Sequence, residues 1–371
     1  FNYYLRMLRN AELMTESYWG HKGACFTEQI ENFGLPVAYS YGIEPRTGMR
    51  PRGKQANAYC EYLWDTVMDF CLMMIQTNTY EGRDITPYIS FIESCLTFFD
   101  EHYRMLALQR TVQPFDRKKH YIFYPGTAGE TYKMATNSSQ TIAALTAVLK
   151  ELISLPDQYI SKEKKAHWQE MLSHMPPLPF RMMEGHKVIA PAQSFERLMN
   201  VEINQLYPVF PYDMYGLGRP DLEVARDTWR YGIDQPKWQK NRHESWHQDA
   251  IFCARLGLLT EARDLVWRKL QNGRHRFPAF FGPGHDWTPD HNWGGTGMIA
   301  LQEMLMQNVG DSILILPCWP KEWNVSFKLH APKQTTVECT YNNGKIETLS
   351  VFPESRRKDI IIALNGFATA D

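Results

Sequence analysis

Residues 289–320 read PDHNWGGTGMIALQEMLMQNVGDSILILPCWP. A glycine-punctuated turn opens the stretch, a Met- and Leu-rich segment with helical spacing covers 295–308, and ILIL follows at 313–316. The hydrophobic period therefore changes near residue 310. Upstream, helical patterns occupy 2–19, 58–78, 86–107, 138–154, 162–172, 221–231, 244–257 and 260–271. Downstream, strand patterns occupy 313–316, 325–331, 335–341, 345–352 and 359–364, with Asn342-Asn343-Gly344 as an antiparallel turn. Residues 180–190 read as a small hairpin around Glu184-Gly185.

Long helices joined alternately by long connections describe an array of α-hairpins, of which an (α/α)6 toroid is one closed form. The expected architecture is mainly α: an (α/α)-barrel catalytic domain over 1–309, then a small antiparallel β-sandwich domain over 310–371. The helix at 2–19 is under way at Phe1 with no cap before it, which reads as a toroid whose first part precedes this chain.

At about 150 residues per domain, 371 residues correspond to roughly two domains. Forty Lys and Arg against 41 Asp and Glu leave a net charge of −1, with no field to attract nucleic acid or an anionic membrane. No apolar run is long enough to span a bilayer. Seven scattered cysteines without a CxxC pair argue against a zinc ribbon or a disulfide framework, and Cys71 and Cys95 read as buried free thiols. Nucleotide-binding and metal-site motifs are missing, so no cofactor and no metal is expected.

Aromatics dominate the connections, with 19 Tyr, 19 Phe and 11 Trp. GHDWTPDHNWGGTG (284–297) packs Asp286, Asp290, His285, His291, Trp287, Trp293 and Asn292 between glycines ahead of a helix. Tryptophan faces stack on sugar rings, and carboxylates beside them suit glycosidic chemistry, which needs an acid for the leaving oxygen and a base for water. The plainer reading has these aspartates capping tight turns. In YPGTAGETY (124–132), Glu130 sits in a glycine-bounded, aromatic-flanked turn where a carboxyl would have a raised pKa, unless it is an ordinary loop glutamate or a salt-bridge partner. In GACFTEQIENFG (23–34), Glu28 reads as a substrate contact, a competing acid or a helix N-terminal carboxylate. In RHESWHQD (242–249), His243 and His247 stand four apart without the HExxH order, so they and Trp246 read as structural or sugar-contacting. Asn137-Ser-Ser and Asn324-Val-Ser match the glycosylation triplet, a pattern that chance also supplies.

The order Asp-x-Asn-aromatic-Gly-Gly-Thr, a Met/Leu-rich helix, a strand and Leu-Pro-x-x-Pro over 289–320 resembles glycoside hydrolase family 95, which contains α-L-fucosidases and α-L-galactosidases. FTEQIENFG, NVEINQLYPVFPY, RFPAFFGP and PESRRKD resemble a bacterial, polysaccharide-associated group of the same architecture. The resemblance implies an (α/α)6 barrel with a C-terminal β domain and an exo-acting, inverting hydrolase of terminal α-linked sugars in plant or host glycans. It places Asp290 at the aspartate that helps a barrel asparagine activate water, as base or base-orienter, and Glu130 at the acid, where the family's Ser-Pro-Glu-Asn is here Ala-Gly-Glu-Thr. It also implies a substrate pocket lined by Trp287, Trp293, His285, His291, Asn292, Trp246, His247 and Glu28, an oligosaccharide or polysaccharide partner, and a secreted or periplasmic location. Two rivals stand beside it: a polysaccharide lyase on an (α/α) toroid, and a carbohydrate-binding protein that has lost its catalytic residues.

Overall fold

The computed structural model describes residues 1–30, 33–34, 57–234, 246–271 and 291–364, with backbone only for His291 and Trp293. The chain divides into two compact units: 1–78 with 84–212, and 79–83 with 213–371.

The first unit is built from helices whose apolar spacing decides which faces are covered. Helix α1 (Asn2–Trp19) ends at Gly20, whose N–H reaches the Glu16 carbonyl at 2.9 Å. Helix α2 spans Thr66–Glu81, and α3 spans Thr86–Thr111 with a proline in its first turn. On α3, Ile89, Ile92, Leu96, Phe99 and Tyr103 recur at three- and four-residue steps and are all buried, and α1 packs on this helix. Helix α4 (Ser139–Ser154) starts at the Ser138 cap, whose hydroxyl accepts the Thr141 N–H at 3.0 Å. Its residues 139–146 are buried without interruption, whereas the partner helix α5 (Lys162–Ser173) buries only Trp168 and Met171. An inner helix with an outer cover is the unit of an α-hairpin layer.

Residues 57–65 are turns rather than the first part of a helix, because Tyr62 adopts a positive φ and Asp65 instead accepts from Gln140 Nε2 (3.1 Å) and Thr141 Oγ1 (2.5 Å). The connection before α4 holds strands. β1 (Gly126–Ala128) pairs antiparallel with β2 (Tyr132–Ser138), and β2 also pairs with β5 (Ala192–Ser194) and β6 (Arg197–Leu198). β3 (Phe180–Met183) and β4 (His186–Ile189) form the hairpin expected around Glu184-Gly185.

In the second unit α6 covers Leu222–Tyr231, and α7 (Asp249–Arg255), α8 (Leu259–Lys269) and α9 (His291–Leu305) pack on one another. The helix-to-strand change falls at Leu305/Met306: β7 (Met306–Val309) turns into β8 (Ser312–Ile315), so the helix expected to reach 308 stops three residues sooner. Ile313, Leu314 and Ile315 are fully buried, each contributing about 1.5–3 kcal/mol of transfer energy. β9 (Val325–Ala331), β10 (Thr335–Asn342) and β11 (Lys345–Phe352) form an antiparallel meander. The expectation of antiparallel pairing throughout is corrected at one place: β12 (Ile360–Ile362) joins β8 in parallel. The chain reaches it by a crossover through the meander, not a hairpin. All seven cysteines are buried and outside any disulfide, in accord with the thiol reading.

Candidate functional site

The turn between β1 and β2 is short, 129–131, and Thr131 N–H closes it onto the Ala128 carbonyl at 3.2 Å. The ribbon on either side fixes its direction, so the turn displays one side chain, that of Glu130, half-buried. A second segment lies along it. Met199 N–H donates to the Thr131 carbonyl (2.8 Å), Asn200 Nδ2 to Glu130 Oε2 (2.9 Å), and Glu130 N–H to Glu202 Oε2 (2.6 Å).

Glu28 comes from a separate segment. Its N–H donates to the Leu63 carbonyl at 3.0 Å, which sets it beside buried Cys60, and residues 21–30 hold no helix for its carboxylate to cap. The Cys60 thiol donates to Glu28 Oε2 at 2.9 Å and lies 3.7 Å from Glu130 Oε1. Behind them buried Lys133 donates to the carbonyls of Tyr59 and, at 3.5 Å, Gly129. Thr127 and Arg197 hold the neighbouring Glu61 through its carbonyl and carboxylate.

This surrounding favours neutral forms. Burial raises the Glu130 carboxyl above its ordinary value and the Glu28 charge raises it further, while the Asn200 bond pulls the other way. Burial and then Glu130 push Glu202 up to about 7. Burial pulls Lys133 down to about 8 against the opposing effect of the acidic groups around it. Burial and Glu28 hold the Cys60 thiol far above the usual thiol range. The donor atoms of Glu28, Cys60 and Glu130 lie within 4.8 Å of one another, close enough to converge on a cation. The Cys60 thiol donates to Glu28 and faces Glu130, so it links the two carboxylates.

Of the expected site residues, the structure brings Glu28 and Glu130 together, 102 positions apart in sequence. Asp290, His285, Trp287 and His243 lie outside the described residues. His291, Asn292 and Trp293 fall in the first turn of α9, where Asn292 is exposed and its carbonyl accepts Thr296 Oγ1 at 2.8 Å. In the second unit Trp246 and buried His247 have ring centroids 4.2 Å apart at 59°. Asn137 is no glycan acceptor: it is buried, accepts from Phe123 N–H (2.8 Å) and donates to Gln193 Oε1 (3.0 Å). Sequence reading missed Cys60, Lys133, Asn200 and Glu202. For Glu202 one signal was present, a lone carboxylate between Val201 and Ile203, both buried.

No family model and no curated protein matches the chain. Solved structures do, among them one described as "Putative kojibiose phosphorylase from human microbiome", at 10% identity and a TM-score of 0.56. The chain shares its fold. The alignment covers 92% of this chain and 51% of that one, so this chain spans about half the length of the structure that it matches. Helical hairpins followed by small β-sheets agree with an α/α architecture carrying a β region. No helix among the described residues is long and apolar enough to cross a membrane.

Proposed function

We propose that this protein is a glycoside-active enzyme in which Glu130 is the general acid. The observation that carries the reading is the Glu130 carboxyl itself, presented at a strand turn with its proton affinity raised by burial and by the Glu28 charge. An acid of raised proton affinity is what a glycosidic oxygen requires as its leaving bond breaks.

The finer reading is an inverting, exo-acting hydrolase of terminal α-linked sugars, of L-fucose or L-galactose type, in plant or host glycans, with its helical hairpins part of an (α/α)6 toroid. Glu130 protonates the leaving oxygen, and Asp290, as base or base-orienter, serves the water on the opposite face of the ring. Inversion calls for those two carboxyls to stand about 6.5–9.5 Å apart. Glu28 does not suit the second role. The Cys60 sulfur, 2.9 Å from Glu28 and 3.7 Å from Glu130, fills the space between them, leaving no room for a sugar ring. Its charge instead raises the proton affinity of the acid. Trp287, Trp293, His285, His291, Asn292, Trp246 and His247 line the sugar pocket in this reading, and the protein works in the periplasm or outside the cell.

The name of the structural neighbour favours a second reading, phosphorolysis. The same acid would serve, with inorganic phosphate in place of water and a sugar 1-phosphate as product. Proton NMR of full-length protein with an oligosaccharide panel, with and without phosphate, separates the two. A free sugar without phosphate supports hydrolysis, and a sugar phosphate formed only with phosphate supports phosphorolysis. Vinylic signals point to a lyase, and binding without any product points to a lectin-like protein. Full turnover by Glu130→Gln on the same panel refutes the acid assignment.

A further inference from the structure

We propose that Glu202 is the positioning residue of this site: it grips the Gly129–Glu130 peptide and so aims the Glu130 carboxyl. The inference rests on the reading of Glu130 as the acid. Segment 199–204 addresses the 129–131 turn through four different groups. The Met199 N–H holds the Thr131 carbonyl (2.8 Å), the Asn200 amide holds the Glu130 carboxyl (2.9 Å), and Glu202 Oε2 accepts the Glu130 N–H (2.6 Å). The fourth group is the Asn204 amide, packed on Gly129. A Cβ added there would stand 2.0 Å from Asn204 Nδ2 and 2.6 Å from Glu202 Oε2. Glu202 is the member of this set that bonds the main chain of Glu130 itself, leaving the acid's side chain free of that bond.

The titratable groups around the pair are Glu28, the Cys60 thiol, Lys133, Glu61 and Tyr207. Glu130 and Glu202 both sit beside Lys133, whose cation offsets the charge that develops when Glu130 releases its proton. A glutamine at 202 keeps the accepting oxygen and loses the charge, whereas an alanine loses both, so the two variants separate aim from electrostatics.

The test compares Glu202→Gln and Glu202→Ala in the full-length protein. Three readouts are taken: hydrogen exchange of the Glu130 amide, thermal unfolding, and kcat and KM on whichever oligosaccharide of the panel is turned over. Loss of one hydrogen bond speeds exchange of that amide on the order of ten-fold in the alanine variant, and the glutamine variant retains protection. Misaiming of the acid lowers kcat on the order of 100-fold in the alanine variant with little change in KM, and the glutamine variant restores most of it. Unchanged exchange at Glu130 in the alanine variant overturns the proposal, whatever the activity. So does an equal loss of kcat in both variants, or a loss that only tracks thermal stability. Full activity of Glu130→Gln defeats the acid reading instead, while exchange still decides whether Glu202 grips the turn.

Discussion

Replacing Gly23 by alanine tests how Glu28 is carried to the site. Gly23 has φ +98, and a Cβ there would lie 2.2 Å from Phe98 N, 2.5 Å from Phe98 Cα and 2.8 Å from the Thr97 carbonyl carbon. All three are main-chain atoms of α3, so no rotamer change relieves the collision. The next residue ties the segment to the same helix, since Ala24 N–H donates to the Ser94 carbonyl at 2.9 Å. Ala24, Cys25 and Phe26 then bury to 1%, 0% and 2% exposure. Gly23→Ala must lift these residues off α3. Left-handed backbone strain costs about 1–2 kcal/mol, and overpacking about 1–3 kcal/mol. Partial exposure of Phe26 adds about 1 kcal/mol. A total of about 4 kcal/mol lowers Tm by roughly 8–16 °C for a unit of this size. Gly20 supplies the control, because it has φ +75 and a Cβ there meets nothing within 4 Å. Gly20→Ala therefore carries the strain alone, a fall of roughly 2–8 °C. Thermal unfolding by circular dichroism measures both. Equal shifts for the two variants would refute the close approach of this segment to α3.

Glu130→Gln lowers kcat by about 10²–10⁴-fold on substrates with sugar leaving groups and far less on activated aryl glycosides, whose leaving groups need no proton; equal losses on both speak against an acid role. Burial raises Asp65 to about 6 and Asp69 to about 7, so the folded state retains protons that the unfolded chain loses from about pH 4 upward. That stability is full below the unfolded values and declines as pH rises to about 7. Asp69→Asn, which keeps an acceptor for the Tyr212 hydroxyl, should gain on the parent protein across that window and not beyond it, as followed by Tm against pH. His102 and His21 act in the opposite sense: burial lowers both, and stability falls as pH drops below about 6.5, a loss that replacing His102 by an uncharged residue should flatten. Expression in a glycosylating host should leave Asn137 unmodified by mass spectrometry, and a glycan there would contradict its buried, doubly bonded amide.

The helices were legible where apolar spacing coincided with a cap. Ser138 before α4 and the three- and four-residue steps of α3 mark elements that the structure places within a few residues. The β1–β2 ribbon was not, because β2 is buried on both faces and Met134 and Asn137 take positive φ, which erases alternation. The start of α2 was misplaced because apolar residues 60, 63 and 64 continue its spacing, while Tyr62 and Asp65 break the backbone pattern. Within the site, Glu130 and Glu28 stood out by their glycine and aromatic neighbours. Cys60, Lys133, Asn200 and Glu202 carry no motif of their own, and tertiary pairing alone brings them to the acid.

Turnover of an oligosaccharide panel by the full-length protein and by Glu130→Gln, followed by proton NMR from the first minutes, tests the central claim most directly. The account predicts that the parent protein releases a sugar from an α-linked substrate as the β-anomer, and that Glu130→Gln releases it at least about 100-fold more slowly. Equal rates for the two proteins would contradict it.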